Sequence, residues 1–219
     1  MARRWLRRID PVSPGRLPSC AQNNEQIEIA SRPELRAWLE NNHAQTESIW
    51  LVTWKKGDPR HVPYGDVVEE ALCFGWIDSL PRKLDGERSK LLLSPRKAGS
   101  AWSKANKDRV VSLTERGLMR SAGLAKVADA KRTGLWTKLD AVEALEIPAD
   151  LADAFRAHPP AAENWDSFPR SVKRGILEWI LQAKRPETRG RRVAETAAKA
   201  ARNERANQWR DARGYSGIG

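Results

Sequence analysis

Residues 71–107 read ALCFGWIDSLPRKLDGERSKLLLSPRKAGSAWSKANK, and their punctuation decides the fold. The apolar helix end Ala71–Phe74 meets Gly75, a residue suited to the left-handed step after a helix. Trp76–Asp85 and Arg88–Ser94 read as short strands around Asp85-Gly86-Glu87, a turn signal that predicts a hairpin. Ser103 is placed to cap the next helix, its hydroxyl accepting from first-turn amides. Helix, hairpin and helix in close succession point to an α+β fold.

Upstream, Gln26–Ala30 alternates like a short strand, and Ser31 caps a helix in the pattern S-R-P-E with Leu35, Trp38 and Leu39 on its apolar face. Ser48–Lys56 (SIWLVTWKK) is the clearest strand, and apolar residues on both of its faces place it inside a sheet. Tyr64–Phe74 is an amphipathic helix that buries Val67, Val68, Ala71, Leu72 and Phe74. Downstream the period is helical. Ser103–Arg116, with Val110, Val111 and Leu113, stops at Gly117, and Ser121–Thr133, with Leu124, Val127 and Ala128, stops at Gly134. Thr137–Leu145 is ambiguous. Four more helices follow over 149–157, 161–167, 169–184 and 187–204, with Phe168, Val172, Ile176, Trp179 and Ile180 as a core stripe. The expected architecture is a small, mostly antiparallel sheet with flanking helices over 26–146, then an all-helical module over 147–204. A disordered basic arm is expected at 1–25 and a flexible tail at 205–219.

The 219 residues are 40% hydrophobic and 31% charged, which suits a soluble globular protein. No window approaches the roughly 18 apolar residues of a membrane-spanning helix. The start, MARRWLRRIDPVSPGRLPSC, is basic but has no apolar core, so it does not read as a secretory signal and a cytoplasmic location is expected. Cys20 and Cys73 stand in unrelated contexts, and His43, His61 and His158 are scattered. Neither set has metal-ligand spacing, so no metal or cofactor is expected. The net charge of +11 is spread along the chain except at 82–109, where nine basic residues face three acidic ones. That stretch reads as a basic loop, a possible nucleic-acid contact, although nucleic-acid binders gather charge along one face.

Three constellations carry the polar chemistry. Asp78 follows a helix C-terminus, where a free carboxylate is disfavoured, and Arg82, Lys83 or Arg96 are the cations in reach. Its readings are a structural ion pair with Arg96, a ligand-binding acid or a catalytic acid–base. In Ser94–Ser103, Arg96 and Lys97 precede a helix N-terminus and Gly99 permits close approach, a generic anion site that lacks P-loop spacing. Trp76 and Trp102 read either as core or as the lining of a pocket. The third is a helix–helix corner at Lys184, Arg185, Pro186, Thr188 and Arg189, rimmed by cations. No Ser-His-Asp or Cys-His arrangement is suggested, so an enzyme has no positive signal.

The segments EEALCFGWIDS, LSPRKAGSAWSKANKDRV and AKRPETRGRR resemble signature segments of the YdeI/OmpD-associated, or bacteriocin-protection, family, in that family's order. The resemblance runs from about Gln26 to Arg202, and residues from about Ile147 resemble the small helical module that defines the family. It implies bacterial origin, protection against bacteriocins or cationic antimicrobial peptides and a link to an outer-membrane porin, with no settled reaction. Its motif positions here are Trp76, Asp78, Arg96, Ser100, Trp102, Ser103 and Asn106, then Lys184, Arg185, Pro186, Thr188 and Arg189. With Arg82 added, the first group is the expected ligand-binding set. The expectation is a non-catalytic protective protein that binds a protein partner or a small anionic ligand around Asp78, Arg96 and Trp102. Nucleic-acid binding through 82–109 and an enzyme acting on an anionic small molecule are the alternatives.

Overall fold

The structure, a computed structural model, describes residues 25–207. The arm expected at 1–25 and the tail expected at 205–219 fall almost wholly outside that range. β1 (Gln26–Glu28) leads through α1 (Arg32–Asn42) to β2 (Ile49–Trp54). Ser31 caps α1, its hydroxyl accepting from the Glu34 N–H at 3.3 Å, while the Glu34 carboxylate accepts from Ala30 N–H at 2.8 Å. α2 (Tyr64–Cys73) ends at Gly75, whose φ of +76° is the left-handed step that glycine makes at little steric cost. β3 (Trp76–Lys83) and β4 (Arg88–Pro95) form the expected hairpin.

The sheet order is β1-β2-β4-β3. β4 pairs antiparallel with both β2 and β3, but β1 runs parallel to β2, so the sheet is mixed. The cause is the connection. A helical crossover returns the chain to the start of the neighbouring strand, which a tight turn cannot do. The expected mostly antiparallel sheet is irregular in β3, where the register passes from Asp78 opposite Leu93 to Pro81 opposite Leu91. One extra residue is thus absorbed there as a bulge, beside a proline with no N–H to offer the ladder.

Helices cover one face of the sheet. Ile49, Leu51, Leu91 and Leu93 point into a core shared with Leu35, Leu39, Val67, Leu72, Trp76, Trp102 and Leu113. On the other face Trp50 lies beneath Arg82 and Lys90, at 5.2 and 4.7 Å from its ring centre. Trp54 lies beneath Arg60 and Arg88. The stretch expected as a basic loop at 82–109 is therefore the end of β3, β4, a connection and the start of α3 (Lys104–Glu115), because β4 pairs with β2 over Arg88–Leu93 and with β3 over Ser89–Pro95. α4 (Ser121–Arg132) crosses the end of α2 at Gly123, where a Cβ would lie 2.3 Å from the Cys73 carbonyl oxygen. Val111 and Leu124, expected inside, are exposed because each of these helices buries a narrower face than its apolar content suggests.

A second core joins α5 (Asp140–Glu143), α6 (Ala149–Arg156), α7 (Ala161–Ser167), α8 (Arg170–Leu181) and α9 (Pro186–Ala201) around Leu151, Phe155, Trp165, Ile176 and Ile180. Leu139 and Val142 belong to it, and Ala101 packs against it from the β4–α3 connection. Glu143 ties the two cores polarly, accepting from Arg174 Nε at 3.0 Å and from the Lys104 N–H at 3.5 Å. Among the described residues no helix is long and apolar enough to cross a membrane.

Candidate functional site

Arg96 follows β4, its N–H donating to the Gly75 carbonyl at 2.9 Å. This backbone bond fixes the residue beside the end of α2. Its guanidinium is 3% exposed and stacks on Trp102, 3.7 Å from the ring centre. Nη2 donates to the Ala101 carbonyl at 2.6 Å, while Nε and Nη1 are buried and have no partner. No carboxylate meets this cation among the described residues, and burial pushes its pKa down to about 10. A buried donor left unmade costs about 1–3 kcal/mol. Stacking on tryptophan offsets about 0.5–2 kcal/mol of the burial.

Arg96 lines a cavity of about 580 Å³. The turn after α1 supplies His43, Gln45, Thr46 and Ser48, and the strand ends supply Ser94 and Pro95. Lys97 and Ala98 continue the wall beyond Arg96, and α4 closes it with Ala122, Ala125 and Lys126. The Ser48 and Ser94 hydroxyls lie 2.8 Å apart, and His43 Nδ1 faces the Leu39 carbonyl at 3.0 Å. Three cations line this cavity and no carboxylate does.

The structure brings Arg96 and Trp102 together and sends Asp78 elsewhere. Asp78 accepts a 2.6 Å hydrogen bond from the Tyr64 hydroxyl, in place of the cation expected from Arg82, Lys83 or Arg96. The bulge explains this. Asp78 opposes Leu93 on the helix-covered face, whereas Arg82 opposes Lys90 and lies over Trp50 on the other. The hydrogen bond to Asp78 pushes the Tyr64 phenol up to about 12. Trp76 is core, its Nε1 donating to the His43 carbonyl at 3.0 Å, and Trp102 is buried against Trp136. Ser103 caps α3 as expected, accepting from the Asn106 N–H at 3.4 Å. Asn106 accepts from Arg109 through its side chain, and the Ser100 N–H closes a turn on Lys97. None of Asp78, Arg82, Ser100, Trp102, Ser103 and Asn106 lines the Arg96 cavity.

The basic corner at 184–189 is separate. Lys184 and Arg185 are exposed, Thr188 lies in the first turn of α9, and Arg189 is held by Asp150 through two bonds of 2.7 and 3.0 Å. Arg189 also lines a cleft of about 220 Å³ with Lys138, Ile147 and Leu177. Sequence reasoning missed Ser48, Gln45 and Lys126 as neighbours of Arg96. Neither Lys126 nor the turn after α1 carried a local signal, since only tertiary packing brings them to Arg96.

Two family matches divide the chain. Residues 144–203 match the family described as "Bacteriocin-protection, YdeI or OmpD-Associated", so the C-terminal helical region carries that family's domain. Residues 27–126 match a different one, described as "Domain of unknown function (DUF8412)". Two of the three resembling segments, at 69–79 and 93–110, lie in this second match, so the bacteriocin-protection match spans less of the chain than they suggest. No curated protein and no solved structure matches the chain. Every residue that lines the Arg96 cavity falls within 27–126.

Proposed function

We propose that this is a non-catalytic protective protein of the bacteriocin-protection kind, which holds an anionic small molecule, or the anionic group of a partner, in the Arg96 cavity. One observation carries the reading: Arg96 lines a cavity that no carboxylate lines, and its buried guanidinium has two N–H groups without a partner. An anion there supplies what the fold withholds from Arg96. The match over 144–203 supports the protective role. The ligand set centres on Arg96, with Trp102 as its platform and Asp78 outside it. Cells that express the Arg96→Met protein should lose protection in a bacteriocin challenge while the purified variant melts no lower than the parent. Undiminished survival with a folded variant sinks the reading.

A second reading, nucleic-acid binding, has one observation in its favour. The sheet face opposite the helices carries Trp50 and Trp54, each beneath two cations, and the half-buried Trp54 offers a ring edge and cations to an unpaired base. It requires a single-stranded oligonucleotide to bind with an affinity that falls steeply as salt rises. No shift at low salt removes it.

A further inference from the structure

We propose that the ligand of the Arg96 cavity is a phosphorylated small molecule, its phosphate dianion held between Arg96 and the rim lysines Lys97 and Lys126. This rests on the anion-binding reading above and names its ligand class.

Charge is the first argument. Lys97 and Lys126 are exposed and, like Arg96, make no ion pair among the described residues. Elsewhere the lysines near this region are already neutralised, Lys104 by Asp108 and Lys107 by Asp140. Three uncompensated cations around one cavity suit a group that carries more than one negative charge. A phosphate ester carries roughly −1.5 to −2 near neutral pH and presents three acceptor oxygens. A single carboxylate supplies one charge and two oxygens.

Donor chemistry and position follow. The Ser48–Ser94 hydroxyl pair, with oxygens 2.8 Å apart, sits on the same wall; one O–H is used between them, and the other is a neutral donor for an oxygen that the cations leave unmet. Gly75 sets the place of Lys126, because a Cβ at residue 75 would come within 2.8 Å of the Lys126 Cγ. The Cγ of the exposed lysine therefore lies against bare backbone at the cavity edge. Room is the third argument. About 580 Å³ exceeds what free phosphate fills and falls within the size range of small-molecule sites. Phe74, Pro95, Ala122 and Ala125 give the remaining wall an apolar character suited to a carbon skeleton.

Isothermal titration of the full chain at pH 7.5 and low salt tests this with three probes: ribose 5-phosphate, inorganic phosphate and citrate. Ribose 5-phosphate should bind tightest, ahead of citrate despite citrate's larger charge. Lys97→Gln and Lys126→Gln, both at exposed positions that spare the fold, should each weaken it about two- to fivefold. Lowering the pH to 5.5 takes the ester through its second ionisation near ~6 and should weaken binding. The titratable groups that face the ligand from this wall are His43, Arg96, Lys97 and Lys126. Citrate binding as tightly as ribose 5-phosphate overturns the phosphate assignment and leaves the anion site standing. Inorganic phosphate binding as tightly makes free phosphate the ligand and overturns the larger molecule. No binding by any probe that depends on Lys97, Lys126 or Arg96 overturns both the ligand class and the anion site.

Discussion

Two ionised side chains are buried among the described residues, and the fold treats them oppositely. Glu70, 2% exposed, is met by Arg32 at 2.7 Å and Arg36 at 2.8 Å. Arg96, 3% exposed, is met by no acid. Glu70→Gln leaves two arginines facing a neutral amide and should cost about 3–5 kcal/mol in urea unfolding. Arg96→Met removes an uncompensated charge and should leave stability unchanged or raise it by about 1–2 kcal/mol. A folded pKa near 10, below the ordinary guanidinium value, means that the unfolded chain holds the proton more tightly. The penalty of Arg96 is therefore full below pH 10 and fades as pH rises toward that ordinary value, so the gap between wild type and Arg96→Met should narrow along that path. Tyr64 gives a spectroscopic check on the neighbouring pair. Of the two tyrosines, Tyr64 should ionise near pH 12 by phenolate absorbance, and Asp78→Asn should bring it back toward 10.

At the scale of elements, the α2–α4 crossing depends on one missing side chain. Gly123→Ala places a Cβ 2.3 Å from the Cys73 carbonyl oxygen and 2.7 Å from that of Leu72. Both are backbone, so the helices must part. A loss of about 1–3 kcal/mol is expected by chemical denaturation. Helix limits were legible in the sequence because their signals are local. Ser31 and Ser103 cap, Pro186 opens α9, and Gly75, Gly117 and Gly134 take positive φ. The hairpin was legible from Asp85-Gly86 for the same reason. The bulge in β3 was not. Asp78 and Arg82 share a face in an ideal strand, and one absorbed residue reverses that without any mark beyond Pro81. Nor was the parallel β1, since the direction of a three-residue strand follows from where α1 delivers the chain.

Taken whole, the molecule packs two cores and joins them largely through polar groups. Glu143 is the centre of the joint, with Arg174 holding its carboxyl below the ordinary range against the opposing effect of burial. That stabilisation is present above about pH 4.5 and is lost as pH falls through the lowered value. Glu143→Gln should cost about 1–2 kcal/mol at neutral pH and flatten the acid limb of the stability profile. The candidate site was half legible at this scale. Arg96 and Trp102 were readable as neighbours in the chain, but the cavity also needs the turn after α1 and the face of α4, which only tertiary packing brings to β4.

The Arg96 guanidinium has two allegiances. It borders the cavity of the first core, and its Nη2 holds the carbonyl of Ala101, whose side chain rests on the second. An anion that drew the guanidinium off that carbonyl would couple its own binding to the seating of the second core, equally in both directions.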